Sequence, residues 1–118
     1  MKRYMVLLNA PEPASELMSR STPEQMQASM KEWITWKEEF EKKNLKFEFG
    51  SPLQAVSHIT PEGVASSDNQ ASGYFLIEAD SLLVATDLLI THPHLKRPGA
   101  TMDVLEKITM PGVSHKAS

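Results

Sequence analysis

Cysteine is absent from the 118 residues. That removes disulfides, thiolate-ligated zinc, iron–sulfur clusters and thiol nucleophiles together. It suits a reducing compartment, and a cytoplasmic protein is expected. Cationic clustering is also missing. The formal net charge is −3, and Lys and Arg are scattered, so there is no basic stripe for a phosphate backbone and no nucleic-acid partner is expected. Long apolar runs are missing too, so no membrane-spanning segment is expected. Met1, Lys2 and Arg3 before the apolar residues 4–10 imitate a signal peptide. The run is short and ends at Asn9 and Pro11-Glu12-Pro13, so a first strand is the better reading. There is no G-x-S-x-G, P-loop, dinucleotide fingerprint or H-E-x-x-H. No cofactor and no dedicated metal site are expected.

What is present fits one domain, expected over residues 1–112 with a flexible C-terminal tail at 113–118. With 41% apolar residues the chain can bury a core. At this size the core is modest, and association would help it. Residues 4–8 are apolar without alternation, the pattern of a strand covered on both faces. Residues 14–21 read as a loop or a short helical turn. Thr22-Pro23-Glu24-Gln25 is a helix start: Thr22 can cap, Pro23 suits the first helical position, and Gln25 can close a capping box. Met26, Met30, Trp33, Ile34, Trp36 and Phe40 then share one broad helical face. Glu38 with Lys42 and Glu39 with Lys43 are i,i+4 pairs on the outer side. Lys42-Lys43-Asn44 is a stop, with cations at the negative helix end and a residue tolerant of left-handed backbone.

Residues 45–49 read as a strand broken or bent by Gly50-Ser51-Pro52. Residues 53–59 can continue it, residues 60–63 form a turn, and Val64-Ala65 begins a short return. Residues 73–79 form a second buried strand. Asp80 or Ser81 caps a helix to about Ile90. Two prolines make residues 92–99 a loop, and residues 101–110 form a last strand.

The order strand, long helix, strand pair, helix, strand predicts an α+β, ferredoxin-like βαββαβ fold, a four-stranded antiparallel sheet with two helices on one face. Tyr74 and Leu76 lie opposite Phe75 and Ile77, and Met5 and Leu7 lie opposite Tyr4, Val6 and Leu8. Both sheet faces want burial, yet helices cover only one. A second sheet from a partner copy is the economical cover, so a homodimer is expected.

Three segments carry a family resemblance. Lys2-Arg3-Tyr4-Met5-Val6-Leu7-Leu8 resembles the opening strand of the YCII-related, or DGPF-domain, proteins. Gly73-Tyr74-Phe75-Leu76-Ile77-Glu78-Ala79-Asp80-Ser81-Leu82 is similar to that family's strand and capped helix. Pro93-His94-Leu95 with Gly99-Ala100-Thr101-Met102-Asp103-Val104 resembles its closing segment, and Gly50-Ser51-Pro52-Leu53 fits its second strand. The resemblance covers most of residues 2–110. It implies a dimeric α/β barrel and says little about activity. The Asp-Gly-Pro-Phe motif is missing, with Asp68-Asn69-Gln70 in a shortened loop. The first long helix has no histidine, and Leu105 stands where an arginine is common. The His–Asp pair proposed as catalytic in the YCII-like branch therefore has no counterpart to carry over.

His92 and His94 are the chief candidates for chemistry. Pro93 between them can direct both imidazoles to one side, for proton transfer or ligand binding. A metal would need a carboxylate such as Asp103 or Glu78 as well. The plainer alternative is solvated loop residues near a helix C-terminus. Asp103 and Lys107 share a strand face, as do Tyr74 and Glu78. Each pair suits a substrate contact or, more plainly, an ion pair or core packing. Lys37 reads as a snorkelling side chain, and Trp33 and Trp36 as core. The expected function is small-molecule binding in a pocket at the dimer's sheet interface, lined by Tyr74, Asp103 and His94. The alternative is a small lyase, isomerase or hydrolase, with His94 or His92 as acid–base, Asp103 orienting it, and Tyr74, Glu78 and Lys107 binding substrate.

Overall fold

A computed structural model describes residues 1–112; the expected tail at 113–118 lies outside the described residues. The chain runs β1 (Lys2–Asn9), α1 (Ala14–Arg20), α2 (Pro23–Glu41), β2 (Lys46–Pro52), β3 (Ser57–Thr60), β4 (Gly63–Ser66), β5 (Ala71–Ala79), α3 (Leu82–Leu89), a 3-10 turn (Pro93–Lys96) and β6 (Thr101–Glu106). The fold is α+β. A four-stranded antiparallel sheet has the order β2-β5-β1-β6, and β3 and β4 form a separate hairpin.

Strand alternation sorts the sheet into two faces. Tyr4, Val6 and Leu8 of β1 and Phe75, Ile77 and Ala79 of β5 are buried against Trp36 and Phe40 of α2 and Ala85 and Leu89 of α3. Phe47, Met102 and Val104 extend this core from the edge strands. The opposite face carries Met5, Leu7, Tyr74 and Leu76, all half-buried, with Leu105 exposed. Leu7 pairs with both Tyr74 and Asp103, and Met5 with Leu76 and Leu105.

The long helix begins as its sequence dictates. Gln25 N–H donates to Thr22 Oγ1 at 3.1 Å, and Thr22 N–H donates to Gln25 Oε1 at 2.9 Å. Asn44 takes a left-handed φ of 60° just beyond its end. The outer pairs differ from the expected ones, being Lys37 with Glu41 and Lys42 with Glu39. Lys37 thus finds a carboxylate within its own helix. Ser81 caps α3 through the Val84 amide.

One open alternative is decided, toward the helical reading of residues 14–21, and two expectations are corrected. Residues 14–20 form a third helix, short and without a side-chain cap, so its sequence lacks the usual start signal. Residues 93–96 wind into a 3-10 turn because Pro93 is tolerated at its first position. The face of α2 is buried only from Trp33 onward. Met26 and Met30 are 43% and 51% exposed, because the N-terminal half of the helix extends past the buried core, and Ile34, 42% exposed, lies off the narrower buried stripe of Trp33, Trp36 and Phe40.

Thr22→Ala removes the acceptor for the Gln25 amide. Chemical denaturation should report a loss of about 1 kcal/mol. An unchanged midpoint would show that α2 fixes its start by other contacts.

Candidate functional site

Both histidines point inward, against the solvated reading. Pro93 fixes an extended approach at His92, and the chain turns back at once. His94 N–H donates to His92 Nδ1 at 3.0 Å, so the ring caps the turn that follows it. Nδ1 is therefore an acceptor, and the neutral ring carries its proton on Nε2. That atom is buried with no hydrogen-bond partner among the described residues. Around it stand Trp33 and Trp36, edge-on at 4.5 and 4.6 Å between ring centres, and Phe75, stacked at 5.2 Å. Burial pushes His92 down to about 3, and His94 adds to the lowering. This histidine is a core aromatic, not an acid–base group near neutral pH.

His94 differs. Its Nε2 lies 3.0 Å from the Asn9 carbonyl and 3.1 Å from the Thr101 carbonyl. Two acceptors require that Nε2 hold the proton, which fixes the tautomer. Nδ1 keeps its lone pair and has no partner among the described residues. Burial lowers the pKa of this ring. The two carbonyls oppose that shift, and Arg97 adds to the lowering. The imidazole is therefore held neutral, with its orientation set by backbone.

His94 lines a cavity of about 380 Å³, within the size range of small-molecule sites. The cavity is bounded on the helix-covered side of the sheet by Leu17 and Met18 of α1, Met30 and Trp33 of α2, and Leu8, Phe49 and Gly73, and it reaches past Gly50 to Tyr74, which belongs to the opposite face. Irregular strand pairing makes the space. The register slips between Leu8 and Asn9 on one side of β5 and between Phe49 and Pro52 on the other. The first slip skips Ser72 and the second skips Tyr74, so the two flank Gly73, which presents no side chain to the core face. Gly50 sits in the second slip, where a β-carbon would collide with the ring and carbonyl oxygen of Tyr74.

The structure divides the residues singled out from sequence. His94 and Tyr74 line this one cavity. Asp103 does not join them: its carboxylate accepts from Asn9 Nδ2 at 2.8 Å on the open sheet face. Backbone carbonyls, not Asp103, orient His94. His92 lies behind the cavity in the core. Glu78 pairs with Arg3 at 3.4 Å and Lys46 at 3.7 Å. It borders a separate hollow that Lys107 also lines. No group of three histidine or carboxylate side chains among the described residues is placed to hold a metal. Arg97 was missed. It also lines the cavity, half-buried. Its position, three residues after His94 in a segment without acidic residues, was the available signal.

No protein-family model matches the chain, and no curated protein matches it. The site must be read from its own chemistry.

The buried histidines make stability depend on pH. Unfolded, each titrates near 6.5; folded, His92 resists protonation down to about 3. The unfolded chain binds more protons in between. Stability is full above 6.5 and falls as the pH drops from there toward 3, by up to about 1.4 kcal/mol per pH unit per proton. His92→Asn supplies an oxygen acceptor for the His94 amide without the titration. Its unfolding free energy should be lower at pH 8 and depend less steeply on pH between 6.5 and 4. An unchanged slope would assign the effect to other groups.

Proposed function

We propose that the chain binds a small organic molecule in the cavity under α1 and α2, as a cytoplasmic homodimer of ferredoxin-like βαββαβ subunits. The observation that carries the binding reading is a mostly apolar cavity holding one imidazole fixed in tautomer and orientation. Apolar walls with a few oriented polar groups are the usual make-up of a small-molecule site. The pocket proposed here is inside the subunit, not between the sheets of a dimer.

The dimer rests on the open sheet face. Met5, Leu7, Leu76 and Leu105 form an apolar centre with no helix of the described residues over it. Arg3, Lys46 and Lys107 stand around it together with Glu48, Glu78 and Asp103. A rim with both signs can complement itself about a two-fold axis. The sheet order, with β3–β4 set aside as a hairpin insertion and α2 and α3 as the crossovers, supports the βαββαβ reading. The resemblance to YCII-related proteins points the same way. No helix among the described residues is long and apolar enough to cross a membrane.

A second reading, acid–base catalysis by a small lyase, isomerase or hydrolase, is favoured by the lone pair on His94 Nδ1. A neutral imidazole is a serviceable base at neutral pH. In that case the Asn9 and Thr101 carbonyls do the orienting expected of Asp103.

Binding is tested with a fragment library screened by amide shift perturbation. Hits should move Gly50, Gly73, His94 and the Trp33 indole N–H. Ala14→Trp, which fills the cavity from α1, should abolish them. Hits that cluster elsewhere would overturn the reading. Light scattering tests the dimer: the wild-type chain should be dimeric at micromolar concentration and Leu76→Glu monomeric. A monomeric wild type would refute it.

A further inference from the structure

Arg97 is half-buried and has no hydrogen-bonded or ion-paired partner for its guanidinium among the described residues. A cation withdrawn from water usually has an anion beside it. Here the surroundings supply none. The residues lining the cavity include no Asp or Glu. A second hollow of about 790 Å³ adjoins it, between α1 and the N-terminal half of α2. The two share Leu17, Met18, Met30, Trp33 and Arg97, and the second also lacks acidic residues. Its other arginine, Arg20, is already paired with Glu12 at 2.7 Å. In a chain with 15 acidic residues against 12 basic ones, two adjoining hollows without a carboxylate leave one uncompensated cation at their junction.

The walls are as informative as the charge. Met18, Met26 and Met30 are 46%, 43% and 51% exposed and border the second hollow with Trp33. Methionine adapts its shape to irregular apolar partners, and its clustering suits ligands of variable outline. The overhang of α2 that leaves Met26 and Met30 uncovered by the sheet also keeps this surface open.

We infer that the two hollows form one site for an anionic amphiphile: a carboxylate-bearing molecule whose head pairs with Arg97 and whose apolar body lies along Met18, Met30 and Trp33. A guanidinium offers a planar pair of donors that matches a carboxylate. His94, neutral beside it, adds no competing charge and accepts a proton or hydrogen bond at Nδ1. This inference rests on the binding reading above and assigns its ligand class.

Calorimetric titration with octanoate, 1-octanol and octylamine tests it, since the three share a chain and differ in head-group charge. Octanoate should bind at least tenfold more tightly than 1-octanol, and octylamine should bind most weakly. Arg97→Gln should erase the preference for octanoate while leaving 1-octanol binding unchanged, and Arg97→Lys should restore part of it. The unfolding midpoint of each variant checks that the fold is intact. Equal affinity for octanoate and 1-octanol, no binding of octanoate, or an equal loss for both in Arg97→Gln would overturn the inference. Fragments that occupy the cavity without regard to charge would overturn this assignment and leave the binding reading standing.

Discussion

The bridge from His94 Nε2–H to the carbonyls of Asn9 and Thr101 holds together the end of the molecule that carries the cavity. Asn9 ends β1 and Thr101 begins β6, and the two are paired in the sheet. One ring proton thus joins two neighbouring strands to the turn that leaves α3. The same proton decides the chemistry of the ring, because Nδ1 is left as the acceptor. His92 completes the turn by accepting the His94 amide, at the cost of an unpaired Nε2–H among aromatic rings. An unpaired buried donor costs about 1–3 kcal/mol. Packing against two tryptophans and Phe75 offsets part of that.

The cavity follows from places where the sheet is imperfect. A fully regular pairing of β5 with both neighbours would bring side chains into continuous contact with α2. Two register slips and a glycine at residue 73 interrupt that contact near His94. The overhanging start of α2 and the short α1 then roof the gap without filling it. α1 buries none of its residues, so it adds walls and little stability. The apolar core lies at the other end of the sheet, around Trp36, Phe40, Phe75 and Ile77. Trp36 ties α2 to the end of α3 through its indole N–H, which donates to Thr91 Oγ1 at 3.1 Å.

Charge is distributed to match. Glu78 is shared by Arg3 and Lys46 on the open sheet face, and Asp103 accepts from Asn9. In and just after the long helix, Lys37 pairs with Glu41 and Lys42 with Glu39, while Glu32 takes Lys96. Among the described residues Arg97 has no counter-charge in the lining of the cavity, which sets that end of the molecule apart despite the net charge of −3.

The sequence determined whatever depends on neighbours a few residues apart. The Thr22–Gln25 capping box, the left-handed stop at Asn44, the turn between β3 and β4 and the alternation that separates Phe75 from Tyr74 are all local. Each is fixed by backbone geometry and the side chains beside it. Tertiary structure decided the rest. Whether His92 and His94 meet water or core depends on Trp33, Trp36, Asn9 and Thr101, which are distant in the chain. The proton on His94 is assigned by carbonyls 85 and 7 residues away, a relation no spacing rule encodes. Asp103 took Asn9 rather than His94 because strand pairing put Asn9 beside it on the open face. The setting of Arg97 is likewise tertiary: among the described residues no carboxylate lines the hollows beside it, and only the packed chain shows which charges a residue meets.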